Sequence, residues 1–207
     1  MEEQFCITKS EFVTSAGVEG RYPEPLPCEI AIVGKSNVGK SSLINLLANN
    51  RKLAKTSASP GKTRLINFFL LNRAFYLVDL PGYGFAKASK TEQKSWGELL
   101  ERYLASGRVN HLLMLIDIRH TPTQDDLTMF RYLIYYGIPY TLVATKADKI
   151  AKSKQKQQAC ARAKQLGAPP YAIPFSSETG EGKAELLQRI GQILSDCDPD
   201  GKETEKE

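Results

Sequence analysis

The feature that most constrains this chain is a glycine-rich loop between an apolar run and a helix-like stretch. Residues 34–41 read Gly-Lys-Ser-Asn-Val-Gly-Lys-Ser, and they lie between the apolar run 30–33 and the stretch 42–47. This is the pattern G-x-x-x-x-G-K-S in a strand-loop-helix setting, which predicts a phosphate-binding loop. The alternative is a glycine-rich turn that contains a chance Lys-Ser pair.

Two physical properties make such a loop suited to a nucleoside triphosphate. Glycines let the backbone curl so that several N–H groups converge on phosphate oxygens, and the helix that follows points its positive end at the same place. Lys40 would reach the β- and γ-phosphates, and the Ser41 hydroxyl would be a ligand of Mg²⁺. The candidate nucleotide-binding residues here are Gly34, Lys35, Ser36, Asn37, Val38, Gly39, Lys40, Ser41 and Ser42.

Apolar runs alternate with amphipathic stretches along the rest of the chain. Strands are predicted at 29–33, 111–116, 139–145 and 172–175, with an antiparallel hairpin from 64–70 and 74–78. Helices are predicted at 40–47, 89–105, 121–137, 151–166 and 183–194. The alternation predicts a three-layer α/β domain with helices on both faces of a mostly parallel sheet that has one antiparallel edge strand. Ligands of such sheets bind at the carboxyl ends of the strands.

We expect three parts in the chain. Residues 28–195 form the nucleotide-binding domain, and residues 1–27 form an N-terminal extension that packs on it, with a short strand around Phe12 and Val13. Residues 196–207 hold six acids and two lysines and are expected to be disordered.

A carboxylate at a strand end is the second candidate element. Asp79-Leu80-Pro81-Gly82 directly follows the second strand of the hairpin, so Asp79 would face the phosphate loop and hold Mg²⁺. Gly82 could offer its N–H to the γ-phosphate. A simple turn is the alternative.

The polar stretch 51–64 is too poor in apolar residues to pack on its own, so we expect a mobile loop. The Thr63 hydroxyl within it could complete the coordination of Mg²⁺ when a γ-phosphate is present, which would make the loop a switch. The candidate nucleotide contacts here are Gly61, Lys62, Thr63, Arg64 and Leu65. With Lys40 and Gly82, Thr63 completes the candidate catalytic set.

A third strand end carries the residues that would select the base. Thr145-Lys146-Ala147-Asp148 places a carboxylate where it can accept two parallel hydrogen bonds from guanine, and adenine lacks that pair of donors. The Lys146 stem can cover the plane of the base. Ser176, Ser177 and Glu178 follow the final strand and are placed for backbone contact with the guanine carbonyl.

Charge and cysteine content bear on the partners and on the cellular compartment of the protein. The formal charge is +5 although the tail is acidic, and residues 149–164 carry six basic side chains and no acid, which suits either RNA phosphates or a solvated surface. The four cysteines form no C-x-x-C pair and are expected to be free thiols. The sequence shows no signal-peptide pattern and no apolar run long enough to span a bilayer, so we expect the protein to be cytoplasmic. We also expect it to be a monomer.

Together these motifs resemble the translation-factor-related P-loop GTPases, and within them the bacterial EngB family, also called YihA or YsxC. The segments that carry the resemblance are 12–16, 34–45, 60–63, 79–87 and 145–148. The resemblance implies a GTPase that hydrolyses GTP to GDP and phosphate. It also implies a partner, the large ribosomal subunit or its precursor with its rRNA and ribosomal proteins, and a role in subunit assembly and in cell division and septation.

Two positions leave alternatives open within that class. Tyr83 stands just after Gly82, where many GTPases place a glutamine that orients the attacking water, and its phenol could position water or only pack. We expect the isolated protein to hydrolyse GTP slowly and a ribosomal partner to accelerate the reaction. In related GTPases an asparagine at the position of Asn37 helps bind K⁺, so K⁺ is a second candidate cofactor beside Mg²⁺.

Two other functions compete with the ribosomal one. A nucleotide-gated adaptor in cell division, with incidental hydrolysis, would have the same motifs. A small-molecule kinase would have the phosphate loop, but Thr145-Lys146-Ala147-Asp148 would serve no purpose in it.

Overall fold

The computed structural model describes residues 5–54, 65–84 and 90–198. A seven-stranded sheet forms the middle layer, with the order β1-β3-β4-β2-β5-β6-β7. The strands are β1 (Ser10–Ala16), β2 (Glu29–Gly34), β3 (Ile66–Leu71), β4 (Phe75–Asp79), β5 (His111–Asp117), β6 (Tyr140–Thr145) and β7 (Ile173–Pro174).

The direction of the strands follows the predicted pattern. β2 pairs in parallel with β4 and β5, and β5, β6 and β7 continue the parallel run. β3 is antiparallel to β4, as the predicted hairpin requires. β1 pairs antiparallel with the other side of β3, so the one reversed strand lies second from the edge and the N-terminal strand covers it.

Helices cover both faces of this sheet in the described part of the chain. They are α1 (Lys40–Leu47), α2 (Lys90–Leu104), α3 (Gln124–Tyr135), α4 (Lys152–Leu166) and α5 (Lys183–Cys197). Their bounds lie within three residues of the predicted ones. α3 begins at a capping box in which Thr123 and Asp126 bond each other's backbone N–H groups, and α4 ends at Gly167, which has a positive φ.

Two apolar clusters fill the spaces on either side of the sheet. α2, α3 and α4 pack on one face, where Leu99, Leu100, Tyr103 and Leu104 of α2 are buried. α1 and α5 pack on the other face through Leu43, Ile44, Leu186 and Ile190. Both faces of the central strands are therefore buried, which explains why their sequences read as continuous apolar runs.

A buried carboxylate at the start of β2 is neutralised by one arginine. The Glu29 side chain is 1% exposed, and the Arg108 guanidinium forms a salt bridge with it, including an Nε contact of 2.8 Å. The Tyr103 hydroxyl donates a further hydrogen bond to Glu29 Oε2 at 2.7 Å. A buried charge with both a partner and hydrogen bonds is stable only while the partner remains.

Replacing this arginine should destabilise the fold strongly. We expect Arg108→Ala to lower the free energy of unfolding by about 3 kcal/mol or more, because Glu29 would stay buried without its partner. Urea denaturation measures the change. Lys94→Ala is the matched control, since Lys94 is 78% exposed in its ion pair with Glu98 and should change stability by less than about 1 kcal/mol. Equal losses in the two variants would contradict this account.

The two histidines have different environments. His111 is buried at the start of β5, where its Nε2 atom lies 2.9 Å from Thr141 Oγ1, and burial together with the nearby Arg189 charge lowers its pKa to about 4. His120 is exposed. Below about pH 6.5 the unfolded chain therefore takes up a proton at His111 that the folded chain does not accept until about pH 4.

Stability should fall as the pH falls through this window. Between pH 7 and pH 5 we expect His111 to account for a loss of up to about 2 kcal/mol in the free energy of unfolding. His111→Gln should flatten that part of the pH profile, and His120→Gln should leave it unchanged. Chemical denaturation at several pH values tests both, and an unaltered slope in His111→Gln would count against the assignment.

Candidate nucleotide-binding site

The predicted site residues meet at one edge of the sheet, where the parallel strands end. Residues 34–41 link β2 to α1, Asp79 ends β4, Thr145 ends β6, and 176–178 follow β7. Leu65 directly precedes β3 and is 41% exposed. The predicted contacts Gly61, Lys62, Thr63 and Arg64, with the proposed switch, lie outside the described residues.

The loop between β2 and α1 has the curled backbone that phosphate binding requires. Asn37 has a φ of 63° and Gly39 a φ of 112°. Gly34 lies so close to β5 that an added Cβ would be 2.9 Å from the Leu115 carbonyl oxygen. No side chain of the described residues caps α1, and its first turn holds no acid. Its first N–H groups and its positive end are thus available to an anion.

Lys40 and Asp79 form a charge pair under this loop. The Lys40 Nζ atom lies 3.9 Å from Asp79 Oδ1, and both side chains are largely buried. Among the described residues nothing forms a hydrogen bond with Asp79 Oδ1. Burial raises the pKa of this carboxyl group, while Lys40 and a hydrogen bond from Asn67 act in the opposite direction.

These features fit a divalent cation bound beside phosphates. A buried carboxylate oxygen without a hydrogen-bond donor is a suitable direct or water-mediated ligand, and Ser41 lies in the first turn of α1, which begins at Lys40. Within the described ranges no group of three or more His, Cys, Asp or Glu side chains is arranged to hold a metal. A cation here would therefore depend on the nucleotide's own phosphate oxygens, as Mg²⁺ commonly does.

Gly82 lies against the phosphate loop. A Cβ at this position would be 3.1 Å from Lys40 Nζ, 3.2 Å from Ser36 Oγ and 3.3 Å from the Gly34 carbonyl oxygen. A side chain at this position would therefore require Lys40 or the phosphate loop to move by a few tenths of an ångström. The side chains of Val38 and Leu80, also predicted as nucleotide contacts, are buried in the core, so their part in the site is limited to the backbone.

The side chain of Tyr83 packs in the protein interior, and its hydroxyl does not face the phosphate loop. Its ring is 4% exposed, and its hydroxyl donates a hydrogen bond of 2.7 Å to Asp126 Oδ1 on α3. The Trp96 ring contacts it edge to face, with the centroids 6.1 Å apart. Of the two alternatives left open by the sequence, the geometry favours packing.

The residues predicted to recognise the base are joined by hydrogen bonds. Asp148 Oδ1 accepts a hydrogen bond of 2.7 Å from Ser176 Oγ, and Lys149 lies 3.0 Å from Oδ2. Ser176 Oγ also accepts the N–H groups of Glu178 and Thr179, both at 3.2 Å, so one serine orders its own loop and orients the carboxylate. The bonds to Ser176 and Lys149 lower the pKa of Asp148 and favour its ionised form.

Sequence reasoning missed a carboxylate that holds the lysine of this motif. Asp117 ends β5, and its Oδ2 lies 3.1 Å from Lys146 Nζ and 2.8 Å from Arg119. Although partial burial raises the pKa of Asp117, the Arg119 and Lys146 bonds outweigh it and hold that pKa well below its usual range. Its position at the carboxyl end of a predicted strand was the one available signal.

Thr145 links the base loop to the phosphate loop. Its hydroxyl lies 2.8 Å from the Val38 carbonyl oxygen and 3.1 Å from that of Ile116. The two halves of the site are thus held together by one buried side chain. This arrangement of a phosphate loop, a carboxylate at the end of β4 and a base-recognition carboxylate defines a P-loop GTPase.

Comparison with known proteins agrees with this class. A family model described as "50S ribosome-binding GTPase" matches residues 29–146. The probable GTP-binding protein EngB of Clostridium kluyveri is 47% identical over 191 residues, which cover 91% of this chain and 97% of that protein. The protein of the same name from Bacillus subtilis (strain 168) is 45% identical over 192 residues, covering 91% and 98%. The chain belongs to the EngB family of GTP-binding proteins, and it is a GTPase.

Solved structures show the same fold. The crystal structure of a probable GTP-binding protein engB has a TM-score of 0.67 at 23% identity and covers 82% of this chain and 100% of that one. Era in complex with MgGDPNP and nucleotides 1506–1542 of 16S ribosomal RNA has a TM-score of 0.64 at 26% identity, over 80% of this chain and 56% of Era.

Removing the charge of Asp148 should change which base is preferred. In Asp148→Asn an amide N–H₂ faces the exocyclic amine of guanine, so we expect GDP affinity to fall roughly 10²–10⁴-fold. Xanthine nucleotides, with a carbonyl in place of that amine, should gain affinity.

Titration with fluorescent nucleotide analogues measures both changes. Glu98→Gln is the control, because it removes an exposed acid on α2, outside the predicted site. Unchanged GDP affinity in Asp148→Asn would contradict the assignment of Asp148 to the base.

Proposed function

We propose that this GTPase acts as a conformational switch in the assembly of the large ribosomal subunit, and that this role affects cell division and septation. The observation that carries the proposal is the match of residues 29–146, which contain the phosphate loop and Asp79–Gly82, to a 50S ribosome-binding GTPase family. A structural relative, Era, is known in complex with ribosomal RNA. We further propose that the chain is a cytoplasmic monomer. Among the helices in the described parts of the chain, none is long and apolar enough to cross a bilayer.

Hydrolysis in this proposal depends on positioning and charge neutralisation. Lys40 would contact the β- and γ-phosphates, the Gly82 N–H would face the γ-phosphate, and Ser41, Asp79 and Thr63 would hold Mg²⁺. The bound cation supplies positive charge beside the phosphate oxygens. Asp79 fits this role because its buried oxygen has no hydrogen bond among the described residues.

Slow hydrolysis by the isolated protein is part of the same proposal. Tyr83 stands in place of a water-orienting glutamine, and its hydroxyl is bonded to Asp126. No group at this position is thus left to orient the attacking water, so a ribosomal partner would have to supply that function. Asn37 is exposed at the rim of the phosphate loop, where its side chain could bind K⁺ and supply positive charge.

The basic stretch at 149–164 supports a contact with rRNA, with one correction. Arg162 is buried, and its Nε donates to the Ile118 carbonyl oxygen at 3.1 Å, so it does not belong to the exposed face. The exposed basic residues are Lys149, Lys152, Lys154, Lys156 and Lys164. Two of them have acidic neighbours, because Lys149 pairs with Asp148 and Lys152 lies 3.8 Å from Glu181.

Cosedimentation tests the proposal directly. The purified protein, loaded with GDP or a non-hydrolysable GTP analogue, is centrifuged with large-subunit precursors, mature large subunits or small subunits. We expect the GTP form to sediment with large-subunit particles and GTP turnover to rise in their presence, more in K⁺ than in Na⁺ buffer if Asn37 binds K⁺.

A charge variant tests the rRNA contact. Lys154→Glu combined with Lys156→Glu should weaken cosedimentation about tenfold or more at moderate salt, because each lost phosphate contact also removes counterion release. Lys94→Glu is the matched exposed control on α2. Nucleotide-independent sedimentation, or turnover that the particles leave unchanged, would favour the adaptor role in cell division instead.

A further inference from the structure

We propose that Asp126 on α3 is a positioning residue for GTP hydrolysis. Through its hydrogen bond with the Tyr83 hydroxyl, it holds the turn Asp79-Leu80-Pro81-Gly82 against the phosphate loop. The proposal concerns the hydrolysis reaction of the isolated protein, so it stands or falls independently of any ribosomal partner.

The hydrogen bond between Tyr83 and Asp126 is short and shielded from water. The oxygens are 2.7 Å apart, and the two residues are 4% and 6% exposed. Burial and the neighbouring Asp126 charge raise the pKa of Tyr83, so the phenol remains protonated and donates. A buried hydrogen bond to a carboxylate contributes more than one between neutral groups.

The main chain of the same tyrosine is bonded to the phosphate loop. Its carbonyl oxygen accepts the Ser36 N–H at 2.9 Å and the Ser36 hydroxyl at 3.1 Å. Lys35 and Tyr83 also form an isolated parallel β-bridge. Tyr83 therefore connects α3 with the phosphate loop, through its side chain on one side and its backbone on the other.

Gly82 lies between two residues that are fixed in this way. On its other side the Pro81 carbonyl oxygen accepts a hydrogen bond of 2.9 Å from Trp96 Nε1 on α2. Because both neighbours of Gly82 are held, hydrogen bonds within the protein set the direction of its N–H. Donors that are already aimed at the developing charge are the ones that lower a reaction barrier.

Asp126 is itself held in one orientation. Its Oδ2 accepts the Thr123 N–H and the Thr123 hydroxyl, both at 2.7 Å, within the capping box of α3. The two oxygens of one carboxylate thus have separate partners: Oδ2 caps the helix and Oδ1 holds Tyr83. This division allows the two roles to be separated by mutation.

Tyr83→Phe removes only the hydroxyl and keeps the ring against Trp96. We expect kcat for GTP hydrolysis to fall about tenfold, the size of one buried hydrogen bond to a charged group. GDP affinity should change less than about twofold, because the base loop and the phosphate loop are intact. Thr123→Ala is the matched control: it weakens the cap but leaves the Thr123 N–H and the Tyr83 bond, so it should lower thermal stability with kcat unchanged.

A second pair of variants checks that Tyr83 and Asp126 act together. Asp126→Ala should lower kcat as much as Tyr83→Phe, and the double variant should lower it no further than Asp126→Ala alone, since both changes remove one interaction. Asp126→Asn keeps an acceptor oxygen for the phenol, so its kcat should recover toward the parent value.

The single tryptophan supplies a readout of loop position. Exchange of GDP for a non-hydrolysable GTP analogue should change Trp96 emission in the parent, and Tyr83→Phe should alter that change. The proposal is overturned if Tyr83→Phe keeps kcat within twofold of the parent, or if Thr123→Ala lowers kcat equally. Additive losses in the double variant would also overturn it.

Discussion

The close approach of the phosphate loop to its surroundings is the constraint on which the rest of the site depends. Gly34 lies against the backbone of β5, and Val38 in the middle of the loop accepts a hydrogen bond from Thr145 at the end of β6. The loop is thus held from two neighbouring strands before α1 begins at Lys40. Contacts within the protein that hold this loop reduce the entropy cost of ordering its N–H groups around a phosphate.

The base recognition that we expect depends on the ends of three different strands. Asp148 follows β6, Ser176 follows β7, and Asp117 at the end of β5 holds the lysine that would cover the base. Each of these polar side chains has a partner in the structure, so the carboxylate predicted to meet the base is already oriented. The predicted selectivity for guanine would then have a geometric cause, because a base that cannot supply two donors would leave an oriented carboxylate unpaired.

Tyr83, the residue after Gly82, has a different role here from the water-orienting glutamine that many GTPases place at this position. The Tyr83 hydroxyl forms a hydrogen bond with α3, and its carbonyl oxygen accepts one from the phosphate loop. In this arrangement the position contributes order to the turn instead of a group that orients water. A GTPase built in this way is suited to remain in one state until another surface completes its site, and this is the behaviour that the proposed role in assembly would require.

The sequence by itself determined the order of strands and helices, the phosphate loop and the motif at Thr145–Asp148, because glycine spacing, apolar runs and strand-end carboxylates are local patterns. It left open whether Tyr83 faces water or packs, it counted Arg162 among the exposed basic residues, and it did not detect Asp117 as a partner of Lys146. Those outcomes depend on which elements become neighbours in space. Only the tertiary structure decided them, since burial and hydrogen bonds between residues tens of positions apart leave no local pattern.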